Sequence, residues 1–215
     1  LNHEIDISRF HAMLELGCRA SGGKVELLDW RQGPELWGRV VAPKVAFDGQ
    51  RNLWGEEDHK MEKLPHRPDA FFGLRFHDQP EDRQDEFFFY ERDRKTTRER
   101  KRIVRKLRAH FQYVVKQQQH KTDYGINSIR AVLVETTDDE WAMELLETAR
   151  HPLVSGPQPS PLFWFTHSGF FELGPGKGER SQHEKRKDFF LAHPEIIFHS
   201  LWAAHTPSGI KLYSL

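Results

Sequence analysis

The chain has 215 residues, which is long enough for one ordinary domain with a core of its own, and its 32 basic and 32 acidic residues balance, so net charge alone identifies no partner. The single cysteine, Cys18, excludes an intramolecular disulfide and a cysteine-based zinc cluster and favours a reducing compartment. No apolar run approaches the roughly 20 residues of a membrane helix, and Leu1–Ile7 lacks the composition of a signal peptide, so we expect a cytoplasmic protein with no membrane partner.

The N-terminal part of the chain predicts a helix followed by two short strands. His3–Ala20 is predicted to be helical because its apolar residues recur at helical spacing, at Ile7, Phe10, Leu14 and Cys18. Lys24–Trp30 and Leu36–Val41 are short apolar runs of the kind that form strands. Pro43–Leu64 is polar and irregular, and we expect an insertion or a mobile loop there.

Two aromatic segments with period-two alternation predict a β-hairpin in the middle of the chain. They are Asp69–Phe76 and Asp85–Asp93, and a polar turn joins them. If the turn is centred near Pro80, Asp69 at the start of the first strand lies opposite Glu91 at the end of the second.

Three carboxylates are expected to meet at that end of the hairpin, because alternation places Glu91 and Asp93 on one face and the register brings Asp69 beside them. Like charges this close repel each other unless a cation lies between them. A hard divalent ion with oxygen ligands, Mg²⁺ or Mn²⁺, is the usual solution. The sequence therefore predicts a metal site formed by Asp69, Glu91 and Asp93.

A strongly basic helix is predicted directly after the hairpin, with Thr96 or Thr97 as its N-cap. Only Asp93 and Glu99 are acidic among the charged residues of this segment, whereas a merely solvated helix normally mixes both signs. We expect the basic face to contact the phosphate backbone of DNA, although a solvated face is the alternative. The DNA-binding candidates are Arg94, Lys95, Arg98, Lys101, Arg102 and Arg105, with Arg108 on the same face.

The remaining sequence completes an α/β pattern. Ile129–Glu135 and Leu162–Thr166 are predicted to be strands, and between them Asp138 or Asp139 caps a further helix. Gly174–Lys187 has the composition of a loop, and Phe189–Ala204 is predicted to be a short closing helix interrupted at Pro194. We therefore expect a single domain over residues 1–215, with a mixed central β-sheet flanked by helices and a C-terminal extension at 167–215.

The acidic cluster beside a basic helix is the arrangement expected for metal-dependent phosphodiester cleavage, in which the metal activates a water and cations hold the flanking backbone. Other interpretations remain open. Asp69 follows a proline and could simply form a turn, while Glu91 and Asp93 could pair with neighbouring arginines. His3 and the acids near it on the first helix could either join the hairpin site or lie on an ordinary helix surface.

Five segments of the chain have distinctive motifs, namely Leu1-x-His3, Arg67-Pro-Asp-Ala-Phe-Phe-Gly-Leu-Arg75, Phe87-Phe-Phe-Tyr-Glu-Arg-Asp-Arg-x-Thr96, Tyr124-Gly-Ile126 and Leu162-Phe-Trp-Phe-Thr166. Together they resemble the replication-relaxation family of plasmid and mobile-element proteins, which includes atypical mobilisation relaxases. Pro68-Asp69 and Glu91-x-Asp93 also resemble the core motif of PD-(D/E)XK nucleases. The resemblance implies a restriction-endonuclease-like fold with an α-β-β-β-α-β core.

This resemblance also implies a function and the residues that perform it. It would make Asp69, Glu91 and Asp93 the catalytic, metal-binding acids of a DNA endonuclease or nickase that acts in plasmid replication or mobilisation with other proteins of those processes. The nuclease pattern usually has lysine two residues after the glutamate, where this chain has Asp93. Either a nearby base such as Arg94, Lys95, Arg98 or Lys101 replaces that lysine, or the site is degenerate and binds DNA without cutting it.

Overall fold

Aromatic segments that alternate on both faces form the strands of a sheet, and amphipathic helices cover those faces. The computed structural model of the protein describes residues 2–45, 57–96, 99–169, 192–199 and 201–215. Its helices are α1 (Asn2–Ala20), α2 (Arg100–Phe111), α3 (His120–Asp123), α4 (Asp139–Ala149) and α5 (Pro152–Ser155). Its strands are β1 (Val25–Gln32), β2 (Gly38–Val45), β3 (Glu57–His66), β4 (Ala70–Phe76), β5 (Asp85–Arg92), β6 (Ala131–Thr136), β7 (Phe163–His167), β8 (Trp202–Thr206) and β9 (Gly209–Tyr213).

In the described part of the chain, seven strands form one sheet in the order β1-β4-β5-β6-β7-β8-β9, and β2 and β3 form a separate pair. β5, β6 and β7 run parallel to one another, because helical connections carry the chain back between them, and the other neighbours are antiparallel. The predicted α/β architecture, a mixed sheet flanked by helices, is confirmed.

The two faces of the sheet pack against different helices. Phe71 and Phe89 point to the side covered by α2 and α4, whereas Phe72 and Phe88 point to the side covered by α1. On the α1 side, the Phe10 ring stacks on another aromatic ring of the sheet. Each of these phenylalanines is fully or almost fully buried, and such burial stabilises a fold by about 1.5–3 kcal/mol per side chain. The chain therefore forms three layers, helix on sheet on helix.

The central hairpin has the predicted register. Ala70 pairs with Tyr90, and the Asp69 N–H donates to the Tyr90 carbonyl oxygen at 3.1 Å, so Asp69 lies opposite Glu91. Gly73 faces Phe87 across the two strands so closely that a Cβ at residue 73 would lie 2.7 Å from the Phe87 ring. The hairpin thus places the two carboxylates at one edge of the sheet, as the sequence predicted.

The expectation of an irregular insertion over Pro43–Leu64 is wrong at both of its ends. Pro43–Val45 belongs to β2, and residues 57–64 belong to β3, which pairs antiparallel with β2. The alternation of buried apolar residues with exposed charged ones was the missed signal: Val40, Ala42 and Leu64 are buried against α2, while Arg39 and Lys63 face outward.

The predicted closing helix is wrong over its second half. Pro194–Phe198 forms a 3₁₀ turn under α1, but Trp202–Thr206 is a strand that extends the sheet and turns through Gly209 into β9. Alternation buries Trp202 and Ala204 on the α1 side, and pairing with β7 overrides the helical propensity of the alanines. The predicted loop Gly174–Lys187 lies outside the described residues.

Candidate functional site

Asp69 is held in place from two sides at the start of β4. Its Oδ1 lies 3.0 Å from His3 Nε2 on α1, and its Oδ2 accepts the backbone N–H of Arg92 at 2.7 Å. Burial acts to raise the pKa of Asp69, but His3, the Lys106 charge and the Arg92 N–H outweigh it, so the pKa lies below its usual value. Asp69 is therefore an ionised, oriented carboxylate, and α1 contributes His3 to the hairpin site.

Glu91 is buried beside Asp69, with a side chain only 2% exposed. His110 Nε2 on α2 lies 2.7 Å from Glu91 Oε1, and Lys106 Nζ on the same helix lies 2.5 Å from Glu91 Oε2. Burial raises the pKa of Glu91 above its usual value, Asp69 adds to this effect as a nearby carboxylate, and Lys106 opposes it. The two carboxylates are thus adjacent, and an ammonium lies against them.

Lys106 belongs to this cluster of charged residues, although the sequence did not indicate it as a site residue. Burial acts to lower its pKa, but Glu91 and Asp69 outweigh it, so the pKa of Lys106 lies above its usual value and the side chain carries a positive charge. The ammonium therefore reaches Glu91 from α2 instead of from the strand position held by Asp93. Helical spacing was the available signal, because Lys106 and His110 are four residues apart and share one face of α2.

Asp93 lies at the same edge but has a different environment. Its Oδ1 accepts the Trp141 indole N–H at 3.0 Å and the backbone N–H of Lys95 at 2.7 Å. Lys95 has a φ of 58°, and Asp93 stabilises this left-handed turn as Asp side chains commonly do. Asp93 and Asp69 both line a cavity of about 390 Å³, whose other walls include Arg92, Arg94, Thr96, Arg102 and Lys106.

A chain of buried histidines supports Glu91 from behind. His66 Nε2 lies 3.0 Å from His110 Nδ1, and the His66 ring stacks on Tyr113. His66 Nδ1 is buried and has no hydrogen-bond partner among the described residues, and a buried N–H without an acceptor costs more than an unpaired acceptor. His66 Nε2 therefore donates to His110, and His110 Nε2 donates to Glu91, which receives this hydrogen bond as an acceptor.

The opposite face of the sheet carries a second buried network around Glu135, which is fully buried on β6. Arg9 of α1 pairs with its carboxylate, the Tyr90 hydroxyl donates to it at 2.8 Å, and Arg92 lies 3.6 Å away. Arg92 also pairs with Asp6 of α1 at 3.1 Å. These contacts fix the backbone of Arg92, whose N–H orients Asp69 on the site side.

The predicted DNA-binding residues are distributed over more than one surface. Arg94 and Lys95 are half-buried and pair with Asp6 and Asp138, while Arg105 pairs with Glu62 of β3 at 2.6 Å. Lys101 and Arg102 are exposed on α2, and Arg98 lies outside the described residues.

Arg108 corrects one detail of the predicted basic face. It is 1% exposed, and its guanidinium donates to the carbonyl oxygens of Pro43 and Leu153. Arg108 therefore joins α2 to β2 and α5 in the interior and does not belong to the surface.

Comparisons with known protein families, with curated proteins and with solved structures gave no match to this chain. Among the residues that the structure describes, no three His, Cys, Asp or Glu side chains converge as a ready metal-binding group. No helix in those residues is long and apolar enough to cross a membrane.

Proposed function

We propose that the protein binds DNA and hydrolyses its phosphodiester backbone with a divalent metal at Asp69 and Glu91, as a nickase or endonuclease in plasmid or mobile-element replication or mobilisation. The position of Lys106 carries this proposal. The nuclease pattern has a lysine two residues after the glutamate. Here the Lys106 ammonium of α2 lies 2.5 Å from Glu91 and supplies that positive charge from the helix instead. The element order also supports the proposal: α1, β1, β4, β5, α2 and β6, with the β2–β3 pair inserted, follow one another in the α-β-β-β-α-β order that the resemblance implies.

The donor set fits Mg²⁺ or Mn²⁺. Mg²⁺ is commonly held by one or two carboxylates, while waters and substrate phosphate fill its other positions. Asp69 and Glu91 are adjacent, and Asp93 lines the same cavity as Asp69. A bound metal would polarise the phosphate and activate a water. Lys106 would stabilise the negative charge that develops on the phosphate, and Arg94 and Arg102 would hold the flanking backbone.

Nicking of supercoiled plasmid in the presence of Mg²⁺ or Mn²⁺ tests this function. We expect Asp69→Ala, Glu91→Ala and Lys106→Met to lower the rate by about 100-fold or more, which is the scale of losing one charge-stabilising group at a reacting centre. Lys121→Met, at an exposed lysine of α3, is the matched control and should nick like the wild type. Absence of nicking by the wild-type protein, or equal rates in all variants, would remove the catalytic assignment.

A catalytically degenerate DNA-binding module is the second candidate. It is favoured because the two carboxyl groups that would bind the metal already have partners in the protein. Asp69 and Glu91 already have partners within the chain, namely His3, the Arg92 N–H, His110 and Lys106. In that case the wild-type protein would bind DNA less tightly at higher salt and would not nick it. The double variant Arg94→Glu/Arg102→Glu would not bind DNA, whereas Asp69→Ala would bind it like the wild type.

A further inference from the structure

A second cavity, of about 320 Å³, opens where β1 ends. Its aromatic walls are Trp37, Tyr113 and Tyr124, and its charged walls are Arg31, Glu35 and Asp123. We call it the Trp37 cavity. The indole of Trp37 is 52% exposed, which is unusual for so large an aromatic side chain and leaves its ring open to a flat ligand.

The Trp37 cavity lies at the same edge of the sheet as Asp69. Gln32, the last residue of β1, pairs with Ala70, so the turn that leads to Trp37 starts beside the residue that follows Asp69. Arg67, two residues before Asp69, holds its guanidinium 5.0 Å from the centre of the Trp37 ring. Two residues span at most about 7 Å of chain, so the backbone of Arg67, whose side chain contacts Trp37, lies within that distance of the backbone of Asp69.

The chemistry of the cavity fits a nucleobase. The exposed part of the Trp37 ring provides a planar surface on which a base can stack, and the Arg31 guanidinium, which pairs with Asp29 and lies 5.6 Å from the centre of the Tyr124 ring, adds a cation beside it. Glu35 and Asp123 offer carboxylate oxygens to the amino and ring N–H groups of a base edge, as acidic residues do with cytosine. A bare phosphate is repelled by these two carboxylates, and a purely apolar ligand would exclude water from them without offering a hydrogen-bond donor in return.

We propose that the Trp37 cavity holds one unpaired base of the DNA strand whose phosphate lies at Asp69 and Glu91. This inference rests on the proposed function and narrows its substrate to single-stranded or locally opened DNA. A base inside a duplex is stacked and paired, so it reaches such a pocket only after it leaves the helix. Base capture next to the acidic pair would also fix which phosphate is presented to Lys106.

Binding of fluorescent single-stranded and duplex oligonucleotides, measured by anisotropy at fixed salt, tests the proposal. We expect the wild type to prefer the single strand and Trp37→Ala to weaken single-strand binding by about fivefold or more, the effect of losing one stacked base, with duplex affinity unchanged. Trp37→Phe should retain most of the affinity, because it keeps a stacking ring. Met61→Ala, at a 60%-exposed apolar residue of β3, is the matched control and should bind like the wild type.

The outcomes separate the cavity from the function on which it rests. If the wild type binds DNA in a salt-sensitive way and Trp37→Ala does not weaken that binding, the cavity proposal is wrong and the proposed function still holds. An equal loss on single strand and duplex also overturns it, because Trp37 would then be a general DNA contact. No binding of either DNA by the wild type defeats the proposed function itself. A single abasic nucleotide should reproduce the Trp37→Ala loss at one position of the strand only, and equal losses at all positions contradict a base pocket.

Discussion

At the scale of single residues, the site combines a lysine that contacts a buried carboxyl group with two buried histidine rings that stay neutral. The Lys106 ammonium lies against the Glu91 carboxyl group at the edge of a buried cluster, while burial lowers the pKa of His110 to about 3. Burial, with a smaller contribution from His110, also lowers the pKa of His66 well below its usual value. Neutral imidazoles can act as donors without adding a second positive charge beside Lys106. The histidines therefore orient Glu91 while the lysine supplies the charge.

His66 predicts a loss of stability in acid. The unfolded chain binds a proton on this ring near pH 6.5 while the folded chain does not, so its contribution to stability is present above that pH and is lost as the pH falls below it. The loss approaches about 1.4 kcal/mol per pH unit for one group. Urea unfolding between pH 7 and pH 5 should therefore show a shallower pH dependence for His66→Phe, which keeps a ring against Tyr113.

His77→Gln is the control for this experiment, because His77 is partly exposed in the turn of the hairpin and its Nε2 lies 3.2 Å from Glu26 Oε2 at the surface. Its pH dependence should match that of the wild type. Equal slopes for the wild type and His66→Phe would show that the folded protein protonates His66 as easily as the unfolded chain does.

At the scale of helices and strands, the sequence predicted the features that depend on residues close together in the chain. The hairpin register followed from alternation and from the turn near Pro80, and the start of α4 followed from a capping aspartate. Lys106 and β8 were missed because each depends on long-range packing: α2 must lie across β5 before its lysine meets Glu91, and β8 needs the edge of β7. The basic pattern of α2 gave no sign that Arg108 is interior, since its partners are carbonyl oxygens far away in the chain.

The cap of α4 gives a prediction for one element. Asp138 Oδ1 accepts the Trp141 N–H at 2.9 Å, and the Lys95 ammonium lies 3.4 Å from the same carboxyl group. Asp138→Ala should lower the free energy of unfolding by about 1 kcal/mol, the usual cost of removing an N-cap acceptor. Asp138→Asn keeps the acceptor and should lose much less. Urea titration measures both variants, and equal losses would show that the Lys95 ion pair, and not the cap, stabilises this end of α4.

At the scale of the whole molecule, the formal net charge is zero although positive charge is concentrated in one place. The acidic and basic residues are equal in number, yet the cavity at Asp69 is lined by Arg92, Arg94, Arg102 and Lys106. The net charge of the chain gives no long-range attraction to a polyanion, so binding would depend on the short-range potential of this one edge.

The salt dependence of DNA binding should report on this edge. Each phosphate contact contributes about 0.7 to the slope of log affinity against log salt for a single strand, so Arg102→Gln should make the slope shallower by roughly that amount. Arg150→Gln, at an exposed arginine beyond the end of α4, should leave the slope unchanged. Equal slopes for all three proteins would place the phosphate contacts elsewhere on the surface.

The pairing of Arg9 with Glu135 gives the first helix a significance for protein engineering. The hairpin and α2 carry Asp69, Glu91 and Lys106 on a continuous stretch of chain, which suggests that this segment could be transferred to another protein as a unit. Transplanted together with β6 but without α1, that unit would lose His3 from Asp69, and the fully buried Glu135 of β6 would lose Arg9 while it keeps Tyr90 and Arg92. Removing one partner of a buried ion pair costs up to about 3–5 kcal/mol. A graft of this site onto another scaffold must therefore include a helix that presents His3, Asp6 and Arg9 to the opposite face of the sheet.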